Sequence, residues 1–155
     1  MKTNRRSLFK KLTLGISGLL GVGAAKAATA DDSSEKTVSS IEYDQDNIPL
    51  FSGGVVHNGL VYISGKGAHF EGDITAHTDH VLKEVQKELE KNGSSMEHVL
   101  KCNVYLADLA DYKKMNDVFR GRFGSKPPVR TTIAAYGGIP GNSLVEIDCI
   151  AMVKK

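Results

Sequence analysis

The chain has 155 residues, with 20 Lys and Arg against 18 Asp and Glu, a formal charge of +2, two cysteines and no tryptophan. Six of the basic residues (Lys2, Arg5, Arg6, Lys10, Lys11, Lys26) and none of the acidic ones fall in residues 1–30, so the remainder carries 14 basic against 18 acidic, a formal −4. That mildly acidic body offers nucleic acid no electrostatic footprint, and its length suits one core rather than two.

Residues 1–30 open on a basic stretch, continue through a mildly apolar run from Leu12 to Ala25, and end in Ala28-Thr29-Ala30, a small-x-small cleavage pattern. The run falls short of the roughly 20 apolar residues that span a bilayer. Arg5-Arg6-Ser7-Leu8-Phe9-Lys10 has the form of a twin-arginine export address, and Lys26 beside the cleavage site fits that route better than the general secretory one. An ordinary secretory signal and an uncleaved amphipathic anchor are the alternatives. The expectation is a signal peptide over 1–30 and a periplasmic or secreted mature protein without stable membrane association. Residues 31–40 are polar and Ser-rich and read as a disordered linker ahead of one domain over 41–155.

Within that domain, Ile41 to Tyr43 reads as a short edge strand. The runs Phe51–His57 and Leu60–Ser64 flank Asn58-Gly59, a strong hairpin signal. Asp73 or Thr75 caps a helix in which Val81, Leu82, Val85 and Leu89 share one face, and Asn92-Gly93 stops it. Alternation over His98–Leu106, with Leu100, Cys102, Val104 and Leu106 on one side, predicts a strand. A second helix follows over Asp111–Phe123, with Tyr112, Met115, Val118 (or Phe119) and Arg122 spaced around it, ahead of Gly124 and Pro127.

Two apolar strands close the chain, Val129–Tyr136 and Leu144–Val153, each with one misplaced charge, Arg130 and Glu146. Unpaired charge in a core costs several kcal/mol, roughly, so both need a partner or a site that uses them. The order hairpin, helix, strand, helix, strand, strand implies an α+β fold, a sheet with two helices on one face. The last strand is apolar on both sides, which predicts self-association over the uncovered face.

The motifs P-x-R-T-T at 128–132 and V-E-I-D-C-I-A at 145–151 resemble the signature of the reactive-intermediate deaminases (RidA/YjgF family). The resemblance extends over 41–155. It implies a mixed or antiparallel sheet of chorismate-mutase-like topology, a homotrimer with sites between subunits, and no cofactor. Its activity would be hydrolysis of 2-iminobutanoate or 2-iminopropanoate to the 2-oxo acid and ammonia. By motif position, Arg130 would fork onto the substrate carboxylate, for which a guanidinium's paired donors are suited. Glu146 would orient and deprotonate the attacking water, since an imine carbon is electrophilic without a metal. Substrate-binding positions would be Ser64 and Gly65 in the turn Ser64-Gly65-Lys66, Asn116 on the second helix, Phe51 and Thr132. Lys66, Phe51 and Thr132 depart from the glutamine, tyrosine and cysteine that many members carry there.

Plainer readings stand beside these. Arg130 and Glu146 or Asp148 would form an ion pair at an interface, Ser64-Gly65 would be a strand-exit turn, and Asn116 a cap. His77 and His80, three apart with His69 nearby, have ligand-like spacing but no third fixed ligand, and read as solvent-facing on the polar side of the helix. Cys102 and Cys149 read as buried free thiols, with a disulfide as the alternative in an exported protein. The other function classes are a non-catalytic carboxylate-binding or chaperone-like trimer and, opposed by the acidic body, an endoribonuclease.

Overall fold

The structure, a computed structural model, describes residues 35–155, so the signal-peptide reading lies outside it. Strands β1 (Thr37–Tyr43), β2 (Pro49–His57) and β3 (Leu60–Lys66) lead into helix α1 (Ile74–Lys91). Strand β4 (Val99–Leu106), helix α2 (Tyr112–Phe119), β5 (Val129–Ala134) and β6 (Val145–Met152) follow. The six strands form one sheet in the order β1-β2-β3-β6-β4-β5, with β4 and β5 parallel and the other neighbours antiparallel. This is the expected mixed sheet with both helices on one side.

Local chemistry explains the elements. Asn58 and Gly59 both take positive φ, 50° and 74°, so the β2–β3 hairpin turns with the hand that matches strand twist. Asp73 caps α1 by accepting from the Ala76 N–H at 2.8 Å, and Asn92 closes the helix. The apolar face of α1 (Ile74, Val81, Leu82, Val85, Leu89) packs with Met115 and Phe119 of α2 onto Val61, Ile63, Cys102, Val104, Val145, Ile147 and Cys149. Cys102 and Cys149 face each other across β4 and β6 as free, buried thiols. Burial pushes them up to about 11 and about 12.

Four expectations shift. The first strand starts at Thr37, inside the stretch read as linker, because Ser39 and Ser40 hydrogen-bond the buried Glu88 of α1. A register irregularity between Val99 and Lys101 buries Val99 and turns Leu100 out of the core. Helix α2 ends at Phe119 because Arg120 is extended and Gly121 takes a φ of 78°. His77 is not solvent-facing. It lies at core spacing three residues after Ile74 and four before Val81, and is 2% exposed. Its Nε2 donates to the Phe70 carbonyl at 2.8 Å and its Nδ1 accepts from the Leu144 N–H at 3.1 Å, so backbone occupies both ring nitrogens.

Candidate active site

The sequence-derived site residues fall into two groups on opposite faces of the sheet. Arg130 pairs in register with Cys102 and Thr132 with Val104, both core residues, so these β5 side chains point to the helix side. There the Arg130 guanidinium lies over the Phe119 ring at 4.6 Å, and Nη2 donates to the Tyr112 hydroxyl at 3.4 Å. Leu109, Tyr112, Arg130 and Thr132 line an open cavity of about 450 Å³. Asn116, one turn along α2 from Tyr112, and Arg130 together draw the Tyr112 hydroxyl below the usual phenol range.

Glu146 belongs to the other face. Its register partner is Tyr105, and the core residues Val145 and Ile147 flank it along β6. Between Ile63 and Lys66 the β3–β6 register slips, so Ser64 and Gly65 together oppose the single residue Asp148. A Cβ at Gly65 would collide with the Glu146 carboxylate, so a glycine there lets the acid lie across the strand. Asp148 is occupied: it accepts from Asn103 Nδ2 at 2.9 Å and the Tyr105 hydroxyl at 3.0 Å. Burial first, then Asp148 and Glu146, pushes the Tyr105 phenol up. Phe51, on β2 and 52% exposed, belongs to the far side of the sheet from Arg130. Three strands separate them, which at ~4.8 Å per strand is on the order of 19 Å.

Within one chain, Arg130 and Thr132 come together with Tyr112, Asn116 standing one turn along α2, and Ser64, Gly65 and Glu146 come together, but the two groups do not meet. Arg130 and Glu146 do not pair, and among the described residues neither has an ion-pair partner. Each group also holds one orphan hydroxyl: Ser64 Oγ and Thr132 Oγ1 are buried without a hydrogen-bond partner. Buried polar groups are seldom left so, and both lie where a ligand was expected. Sequence reasoning missed Tyr112, Phe119 and Leu109. The signal for Tyr112 was its spacing, four residues before Asn116 on one helix face.

A family model described as Endoribonuclease L-PSP matches residues 45–153. The chain is 30% identical over 134 residues to "Reactive Intermediate Deaminase A, chloroplastic" of Arabidopsis thaliana, covering 82% of this chain and 71% of that one. It is 34% identical over 82 residues to "Protein DfrA" of Myxococcus xanthus, covering 53% of this chain and 62% of that protein. A crystal structure of a YjgF family member from Neisseria meningitidis superposes with a TM-score of 0.70 at 27% identity, covering 78% of this chain and 97% of that one. The same sheet order, helix placement and motif-bearing strands thus sit in a chain that belongs to the Endoribonuclease L-PSP (RidA/YjgF) family.

Proposed function

We propose that the protein is an exported, metal-independent imine deaminase acting on small 2-imino acids. The observation that carries this reading is Arg130: a guanidinium with no carboxylate partner among the described residues, held over an aromatic ring beside a buried, unbonded threonine hydroxyl. It supplies a fork for an incoming carboxylate. Glu146 supplies the complementary half, a carboxylate without an ion-pair partner among the described residues that can take a proton from water. The balanced step is R–C(=NH)–COO⁻ + H₂O → R–CO–COO⁻ + NH₃. Water adds to the imine carbon while Glu146 accepts its proton. The proton then passes to nitrogen, the C–N bond breaks, and ammonia leaves. Because the two halves lie on opposite faces of one sheet, a complete site combines Arg130 of one copy with Glu146 of another. The exposed Tyr62, Leu100, Val129, Ile133 and Met152 give the copies an apolar surface to share, and a homotrimer fits the fold.

The test pairs two variants with oligomeric state by light scattering. Arg130→Ala should lower kcat/KM for 2-imino acids roughly 30-fold to over 1,000-fold, the effect of truncating a buried charge-assisted contact. Glu146→Gln should depress kcat and leave 2-oxobutanoate binding almost intact. An intact oligomer in which Arg130→Ala hydrolyses imines at the parent rate would sink the assignment. A carboxylate-binding role without turnover is the second reading, favoured by Phe51, which lacks the phenol of many relatives; such a protein would saturate stoichiometrically with the imine. Export rests on Arg5-Arg6, and replacing both by lysine should hold the precursor in the cytoplasm.

A further inference from the structure

We propose that Tyr112 is a further substrate-binding residue, its hydroxyl donating to the same carboxylate that Arg130 holds, and that Asn116 acts on the site through it. The proposal rests on the reading of Arg130 as a carboxylate clamp. Tyr112 stands on the first turn of α2 with its ring forming a wall of the cavity that Arg130 and Thr132 line. Its oxygen accepts from Arg130 Nη2 at 3.4 Å. Asn116 stands four residues on along the same face of α2, within a turn of that phenol. A phenol oxygen that accepts from Arg130 still has its own O–H to donate, and the open side of the cavity is where that proton can point. Thr132 Oγ1, buried and without a partner, is the third hydroxyl or guanidinium group in this cavity. Three groups thus surround a space open to solvent: the Arg130 fork, the Tyr112 hydroxyl and the Thr132 hydroxyl. A carboxylate, with four lone-pair sites, can take all of them.

This gives Asn116 a positioning role. It does not need to reach the ligand; it flanks the phenol from the following turn of α2, while Arg130 donates to the phenol oxygen.

The experiment measures 2-oxobutanoate and its methyl ester binding to the purified full chain by calorimetry, with imine turnover alongside. Tyr112→Phe keeps the ring and removes only the hydroxyl. It should weaken 2-oxobutanoate binding about tenfold or more, the usual effect of losing a hydrogen bond to a charged group. Binding of the ester, which lacks the anionic acceptor, should change little, and imine turnover should show the loss in KM more than in kcat. Asn116→Ala should weaken acid binding in the parent protein and add nothing once Tyr112→Phe is in place. A structural disturbance would weaken acid and ester alike, and that result overturns the proposal. Wild-type acid affinity in Tyr112→Phe, with affinity lost in Arg130→Ala, also overturns it and leaves the clamp standing. Unchanged affinity in both variants overturns the clamp and this proposal together.

Discussion

At Gly65 a single hydrogen stands where any other residue would put a methyl group against the Glu146 carboxylate. The obstacle is one-sided: the clash is with the end of a side chain that can swing away, not with backbone, so the fold should survive what the chemistry does not. Gly65→Ala is therefore expected to lower kcat for imines by about tenfold or more by displacing the proton acceptor, since each 1.36 kcal/mol of lost transition-state stabilisation is a factor of ten. 2-Oxobutanoate affinity and the thermal midpoint should stay close to the parent, and calorimetry with steady-state kinetics separates the two effects. The same scale shows what the sequence could not say about its own charges. The motif around Arg130 and Glu146 picked out both residues, and period-two alternation placed each against its strand neighbours. Alternation is silent on which face of a shared sheet those residues occupy. That depends on the parallel pairing of β4 with β5, which brings Arg130 level with Cys102 on the helix side, and on β4 lying between β5 and β6.

Among the elements, β1 is the one whose existence depends on a distant contact. Composition alone makes Thr37–Ser40 look like linker, because its hydroxyls have no local reason to order. The reason is Glu88 on α1, which accepts from Ser40 Oγ at 2.8 Å and Ser39 Oγ at 3.1 Å and pairs with Lys66 Nζ at 3.3 Å. By contrast the β2–β3 hairpin and α1 were legible from Asn58-Gly59 and from the Asp73 cap with its 3.6-residue period, both of which act locally. Burial pushes the Glu88 carboxyl up, but the bonds from Ser40 and Ser39 and the Lys66 ammonium outweigh it and hold the group below its usual range. A carboxylate with a depressed folded-state pKa stabilises fully above the unfolded value and loses that contribution as pH falls through the folded value. Glu88→Gln leaves Lys66 half-buried without its charge partner and should cost about 1–3 kcal/mol at neutral pH. Urea unfolding should show the gap between parent and variant narrowing as pH drops below about 4.3. A gap independent of pH would remove the ion pair from the account.

For the whole molecule, mixing two variants tests the division of the proposed site between faces. Arg130→Ala and Glu146→Gln chains are each expected to be inactive alone. Co-refolded in equal amounts, they should assemble sites that combine the intact Arg130 of one copy with the intact Glu146 of another. Random assembly gives about a quarter of the sites both groups in any closed oligomer, so activity should return to about a quarter of the parent level. Complementation with no gain over the separate variants would show that a single copy supplies both groups. The number of copies follows from light scattering on the same sample.

The extra residue in β3 also acts as a counter. Ser64 and Gly65 use two positions against one on β6, and this brings Lys66 back level with Ile147, facing Glu88. An unbulged strand of the same sequence would reach Lys66 one step out of phase and turn its ammonium to the face where Glu146 lies. The lysine would then neutralise the acid proposed as the proton acceptor. The parity of one short strand thus decides which of two glutamates is a strut and which is left available for chemistry.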